Sequence, residues 1–461
     1  MVHDISNKRI ILFGCGAVQK CVLNLLDDFL KIDPKKLYIF DLIDYRHYPQ
    51  VQKYMQKGAR YCITDLNKSY KKIIGKLKPY DIIIDLTNHT ETIEFVKECK
   101  KRNVHYINTS IEVNSTINEE KKKEKEVYER TYTAGHNDIL EINKTFPKNK
   151  ASQCMEMGAN PGLISIFVKL GLLFLAKKSK MDQTLQVYVK NRDYNKIAHY
   201  LNVEIIHCSE TDSSCLTDRE KLKVFTNTWC CNAMIDEYSC NSEFTYGSHE
   251  KSLPAGAELL HDNIIRLKEP AAEVYCESYV PYNGKIIGVV IPHGEGISLG
   301  SFLRDENYSP TMNYVYKIPP IVYESLKLFH PKLGDEIKST HVLNNYDDTF
   351  DGMDRLGALL VTKDKKSVWI GSCLDNSKIE YDSGTTQQVA AGILSGLSYI
   401  IENPNDGVYF PEHFPVEYII KLARPYLGEL FCNFVDYKPK STQFIDLQRT
   451  KKQFDKQYKK K

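Results

Sequence analysis

The sequence predicts an α/β protein, with an N-terminal parallel sheet covered by helices and a second, α+β domain after it. Three observations carry that expectation. Over the first 110 residues short β-rich runs alternate with helical stretches, from about 185 to 380 β-like runs dominate, and two helical patterns follow. Alternation of strand and helix builds a parallel sheet with helices on both faces, whereas successive strands build a sheet paired mostly within itself.

In order, the first domain reads RIILFG as a strand, Val18 to Leu30 as a helix, then KLYIFD, YDIIIDLT, a helix over Glu91 to Arg102, and HYINTS. Glu119 to Tyr132 is highly charged and the segment to Lys150 is rich in Asn, Thr, Lys and Pro, which places the end of the first domain at 155. The apolar stretch Leu163 to Ala176 contains Ser165 and Lys169 and falls short of the roughly 20 residues that span a bilayer, so a buried helix is expected. The second domain, 156–380, carries TLQVYVK, VEIIHCSE, AEVYCESYV, KIIGVVIPHGE and SVWIGSCL as β-like runs. Over 381–461 the helices TTQQVAAGILSGLSYIIE and PVEYIIKLARPYLGEL are expected to pack back on the first domain.

Composition removes several function classes. The 461 residues hold 62 Lys and Arg against 59 Asp and Glu, a net charge of +3, too small for a nucleic-acid footprint. The basic runs Lys121–Lys123 and Lys459–Lys461 read as solvated faces. Thirteen cysteines, an odd number without a CxxC pair, suit neither a disulfide framework nor a zinc site, so reduced thiols in the cytoplasm and no metal are expected. The start, MVHDISNKR followed by IILFG, lacks the long apolar core of an export signal, and no membrane association is expected.

Gly14-Cys15-Gly16 follows the first strand directly and opens a helix. A Rossmann-like domain needs glycines there, one for the tight turn and one for backbone approach to pyrophosphate. The third position of the G-x-G-x-x-G pattern is Gln19, so the close helix–strand contact is made otherwise. The second strand ends in Asp41, 25 residues beyond Gly16, where a carboxylate accepts both ribose hydroxyls and repels a 2′-phosphate. NAD is therefore the expected cofactor, held by Gly14, Gly16, Ala17, Val18 and Asp41, with Thr87, Asn88 and Thr109 at later strand ends over the nicotinamide half.

The remaining candidates lie in short polar blocks: Glu112 in NTSIE, Asn160 in GANPG, Glu210 in HCSETD, Trp229 in NTWCC, Glu237 in MIDEY, His293 and Glu295 in IPHGE, and Asp354 in DGMDRLG. Carboxylates beside a tryptophan suit a substrate with two or three ammonium groups, because carboxylates pair with ammonium and the indole face attracts a cation by about 0.5–2 kcal/mol. Singly, each residue has a bland alternative: Trp229 as a core aromatic, Glu237 as a helix-surface acid, His293 as a satisfied strand-end histidine.

The blocks GANPG with its apolar helix, NTWCCNAMIDE, FTYGSHE, IPHGE and DGMDRLGALL occur in the order found in the bacterial homospermidine synthase family, a branch of the saccharopine dehydrogenase-like group, which this chain resembles over nearly its whole length. The resemblance implies an NAD-dependent enzyme, working as a homodimer on putrescine or spermidine with no net redox change. In the family a primary amine is oxidised to an imine, ammonia leaves as a second putrescine joins, and the new imine is reduced to homospermidine. It implies roles as well. His293 with Glu295 is the candidate proton-accepting pair, Glu210 and Glu237 clamp ammonium groups, and Trp229 stabilises the cationic imine. Glu112 and Asn160 orient the substrate, Asp354 holds another amine, and His249 is structural. The competing readings are an NADPH-dependent reductase of the carboxynorspermidine or saccharopine type, which needs an arginine for an α-carboxylate and has only Arg355 near these blocks, and a non-catalytic nucleotide-binding protein.

Overall fold

The computed structural model describes residues 2–88, 90–111, 131–145, 150–216, 224–329, 339–344, 348, 350–380 and 382–459. The chain folds into two compact units, one made of residues 1–163 and 385–426, the other of 164–384 and 427–461.

In the first unit, β1 (Ile10–Phe13), β2 (Leu37–Asp41), β3 (Arg60–Ile63), β4 (Ile82–Asp85), β5 (His105–Asn108) and β6 (Gln153–Cys154) form a parallel sheet that Val408–Tyr409 extends at one edge. The order is 408–409, β6, β5, β4, β1, β2, β3. Every residue of β1 and β4 is buried, as their unbroken apolar sequences demand of strands covered on both faces. The chain moves outward from β1 to β3 and restarts at β4 on the other side of β1. The strand order thus reverses between β1 and β4, which opens a ligand crevice at their C-terminal ends. Helices α1 (Ala17–Phe29) and α2 (Thr92–Arg102) connect strands, and α2 stops at Asn103, a left-handed cap (φ 57°). Phe13, Phe95, Cys99 and Tyr106 join Ile139 in the core beneath them.

The second unit is built on an eleven-stranded mixed sheet. At its centre β7 (Val203–Asp212) runs parallel to β9 (Thr311–Lys317) and antiparallel to β10 (Met353–Thr362), which pairs with β11 (Ser367–Asp375); β8 (Gly284–Ile291) pairs with the far side of β9. Side chains alternate between faces along a strand. Ile205, Val315, Leu359, Val361 and Trp369 enter one apolar core with Phe244 and Phe444. The register places Glu210, Asp212, Tyr314, Tyr316 and Asp354 together on the opposite face, all buried.

Four sequence expectations are altered. TLQVYVK is not a strand but part of helix α3 (Gln183–Asn191); the Asp182 side chain caps its N-terminus by accepting from the amide of Leu185, and only Leu185 is buried, so the alternating Leu and Val do not report a half-buried strand. The last helical pattern ends early. Helix Val416–Ala423 gives way at Pro425, which cannot continue it, and Glu429–Phe434 is instead a strand beside β11. Consequently 381–461 is not one body: the chain to 426 belongs to the first unit and the rest to the second, because a strand must complete its ladder where its partner lies. The boundary expected at 155 falls at 163, beyond the turn 158–162, and helix Leu163–Lys178 carries the chain into the second unit. Among the described residues no helix is long and apolar enough to cross a membrane.

Candidate active site

At the crevice of the first unit Gly14 takes φ +81°, and a Cβ there would lie 2.7 Å from the carbonyl oxygen of Leu86. Only glycine fits. A Cβ on Gly16, the N-cap of α1, would meet nothing within 4 Å, which leaves open space where the first amides of the helix lack intrahelical partners. Ala17 and Val18 form the first, half-exposed turn. Asp41 closes β2 against this loop, accepting from the amide of Cys15 through Oδ2 and from Ile43 (2.7 Å) through Oδ1. Burial pushes its carboxyl above the ordinary range and those amides oppose the shift. Gln19, at the third pattern position, is fully buried, and neither side-chain polar atom has a hydrogen-bond partner among the described residues.

Thr87 is tied down by its own strand end, donating from Oγ1 to Asp85 Oδ1 at 2.6 Å, whereas Asn88 is exposed. Thr109, just past β5, packs close to Gly158. Asn160 is half-exposed in the turn 158–162, closed by the Gly158 amide donating to the Pro161 carbonyl at 2.8 Å. Sequence reasoning passed over Asp85 here. It ends β4 fully buried, accepts from Tyr106 Oη at 2.5 Å, and burial raises its pKa to about 6 against the pull of Thr87 and Tyr106. It also missed the buried pair His136 Nε2 to Glu156 Oε2, 2.8 Å apart, beside the same turn. A polar residue closing an otherwise apolar strand, as in IIID, was the available signal for Asp85.

The acids of the second unit gather on the face opposite its apolar core. Tyr314 Oη donates to Glu210 Oε2 at 2.6 Å, and the Tyr314 ring lies 4.8 Å from that of His293. His293 follows β8 and is flanked on both nitrogens: Nδ1 is 3.2 Å from Glu295 Oε2, and Nε2 is 3.5 Å from Glu237 Oε1. Glu295 is the first residue of α5 (Glu295–Phe302). Glu237 lies on helix α4 (Cys231–Ser239), not at a strand end, yet it turns inward to the histidine. Burial would lower the His293 pKa, but the carboxylates of Glu295 and Glu237 outweigh it and hold it well above the ordinary histidine value. Glu237 Oε2 is buried and without a hydrogen-bond partner among the described residues.

Trp229 precedes α4 half-exposed and close to the Tyr316 hydroxyl; the buried core indole is Trp369. Asp354 stands on β10 directly opposite Asp212 on β7. Glu210, Trp229, Glu237, His293, Glu295 and Asp354 thus belong to one unit and are linked through Tyr314 and Tyr316, both absent from the sequence expectation. The repeat of Glu and Asp in SETD and of Tyr in NYVYK, each two residues apart, was the signal that they share a face. His249 binds the carbonyl of Thr442 at 2.9 Å, a structural contact. Glu112 lies outside the described residues. Such a face, rich in buried carboxylates, can hold ammonium groups and exchange protons with them.

Residues 10–141 match the saccharopine dehydrogenase NADP binding domain family. A homospermidine synthase from Mesorhizobium japonicum is 26% identical over 454 residues, covering 93% of this chain and 91% of that protein. One from Blastochloris viridis is 26% identical over 461 residues, covering 95% and 93%. The crystal structure of a homospermidine synthase from Legionella pneumophila in complex with NAD superposes with a TM-score of 0.84 at 25% identity, covering 98% of this chain and 99% of that one.

Proposed function

We propose that this chain, which belongs to the homospermidine synthase branch of the saccharopine dehydrogenase-like group, is an NAD-dependent enzyme that transfers an aminobutyl group between polyamines without net redox change. The observation that carries the reading is the buried His293, held between Glu237 and Glu295 on a face that also bears Glu210, Trp229 and Asp354. A pocket for a neutral or carboxylated substrate would not bury so many carboxylates.

The first unit fits a dinucleotide: open space at Gly16 for pyrophosphate, and Asp41 beside the turn for ribose hydroxyls. Although the matching domain family is described by NADP, Asp41 disfavours a 2′-phosphate, and the Legionella pneumophila protein was crystallised with NAD. When bound, NAD accepts two electrons and a proton as hydride from an amine-bearing carbon and later returns them. The chain's own residues do the rest. Glu237 accepts the proton that frees the amine, His293 holds Glu237 and Glu295 in place by donating to both, and Glu210, oriented by Tyr314, pairs with an ammonium group of the substrate. Trp229 offers its face to the cationic imine. Ammonia leaves as a second putrescine condenses, and the resulting imine is reduced to the secondary amine.

Arg355 does not favour the reductase reading: its guanidinium lies over the Tyr282 ring at 5.8 Å, and strand alternation turns it from the face of Asp354. None of the thirteen cysteines forms a disulfide among the described residues, which suits a reducing cytoplasm; assembly as a homodimer follows the family resemblance and is checked by light scattering. Incubation of the purified protein with putrescine and catalytic NAD tests the proposal. Homospermidine and ammonia without net NADH support it; NADPH oxidation with a carboxylated imine and no homospermidine would overturn it.

A further inference from the structure

The end of the chain, KKQFDKQYKKK, is more than the solvated run expected at Lys459–Lys461, of which Lys460 and Lys461 lie outside the described residues. Thr450 opens helix α7 (Lys451–Lys456) with a capping box to Gln453. The helix turns Phe454 inward, where it is buried against the rings of Tyr275 (4.8 Å) and Tyr458 (5.3 Å). Lys451, Lys452 and Asp455, at three- and four-residue spacing, share another side of the helix, and Tyr458 and Lys459 follow it.

That side meets α6 (Pro320–Phe329). The Tyr458 ring stacks on Tyr323 at 3.9 Å and 11°, and its hydroxyl donates to the Ile318 carbonyl at 2.8 Å. The Gln457 side chain accepts from the Ile287 amide at 2.9 Å and donates to the Ile287 carbonyl at 2.8 Å. These contacts fix the end of the chain on its own unit. Between the two helices lies a cavity of about 390 Å³, walled by four lysines, Lys327, Lys451, Lys452 and Lys459, with Asp455 and the two tyrosines. Small-molecule sites have volumes of about 300–1,000 Å³.

The charges around it are not balanced. Asp455, the one acid in the wall, accepts from the Tyr323 hydroxyl at 3.0 Å. Lys451 reaches Glu273 at 3.3 Å in an exposed contact, and Lys452 and Lys459 have no ion pair among the described residues. A concave surface lined by one sign of charge focuses its field and gathers counter-ions. Tyr458 and Lys327, whose Nζ is 4.3 Å from the ring centre, cover the Tyr323 ring, so it offers no bare face to a nucleobase. Charge is what the cavity can read.

Ammonium groups are compact donors suited to phosphate oxygens. A single phosphate engages one or two lysines, whereas linked phosphates engage several at once in a small volume. We propose that this cavity binds a small oligophosphate, an anion with two or more linked phosphates, through Lys327, Lys451, Lys452 and Lys459. The Lys451–Glu273 pair yields to such a ligand, because exposed ion pairs stabilise little. All of these residues belong to the second unit, so the site is not the nucleotide crevice of the first, and it does not depend on the reaction proposed above.

Titration calorimetry of the full-length protein saturated with NAD, with inorganic tripolyphosphate as the probe, tests the proposal; NAD occupies the other phosphate-binding loop. Binding should saturate at one ligand per chain, be at least tenfold tighter than that of inorganic phosphate, and weaken as salt rises. The double variant Lys452→Ala/Lys459→Ala should lose at least tenfold in affinity. Lys456→Ala removes the same charge from the same helix outside the cavity wall and should keep wild-type affinity. Absence of saturable binding to the wild type overturns the proposal and needs no variant to fold. An equal loss in Lys456→Ala also overturns it, by reducing the effect to net charge. Affinity for RNA or for anionic vesicles without affinity for tripolyphosphate does the same. Homospermidine formation, measured separately, bears on the enzymatic reading alone.

Discussion

Glu237 Oε1 lies 3.5 Å from His293 Nε2, and the histidine's other nitrogen is taken by Glu295. The two acids come from different helices, Glu237 inside α4 and Glu295 at the start of α5, and the imidazole joins them.

The first prediction concerns that proton. A histidine with its pKa held above 6.5 contributes stability that is complete below pH ~6.5 and is lost as pH rises through the folded-state value. Side-chain nitrogen NMR of labelled protein at pH 7.5 should show His293 doubly protonated; a neutral tautomer would sink the assignment of Glu237 as acceptor.

Trp229→Ala and Glu237→Gln should each lower turnover at least tenfold while NAD remains bound. Loss of one charge-assisted contact to a cation costs about 1.5–3 kcal/mol, sufficient for that factor. Steady-state kinetics with putrescine, paired with NAD titration by fluorescence, checks both halves. Wild-type turnover in either variant contradicts the site.

Asp41→Ala removes the acceptor for the Cys15 amide as well as the proposed ribose partner. NAD affinity should fall about tenfold or more, a loss of at least about 1.4 kcal/mol, and discrimination against NADP should relax. Equal NAD affinity in variant and wild type would remove Asp41 from the cofactor site.

Two glycines of the same loop should respond differently. Gly14→Ala places a Cβ 2.7 Å from Leu86 O at φ +81°, and should cost about 1–3 kcal/mol of stability. Gly16→Ala meets no protein atom within 4 Å, so the melting temperature should hardly move, while NAD binding weakens because the added methyl occupies the open space. Thermal melts with and without NAD separate the two, and a Gly16→Ala protein with undiminished NAD affinity would show that pyrophosphate binds elsewhere.

Much of the first unit was legible because its signals are local. A strand, glycines, a helix and Asp41 follow one another within the first 41 residues, and their order in the chain is their order in space. The acids of the second unit were legible as residues but not as an arrangement. Glu210, Glu237, His293 and Asp354 are up to 144 positions apart, and a two-residue strand period says only that neighbours alternate, not which face is covered.

By itself, then, the sequence determined the parallel nucleotide-binding sheet, the acid at the end of its second strand and the set of polar blocks that hold the candidate residues. Tertiary structure decided that TLQVYVK is helical, that residues 429–434 complete the second unit's sheet, and that Asp212 faces Asp354. It also placed His293 between two carboxylates that raise its pKa. The physical reason is common to all four: a cap, a ladder partner, a cross-strand neighbour and a pair of carboxylates are each supplied by residues that meet only when the chain has folded.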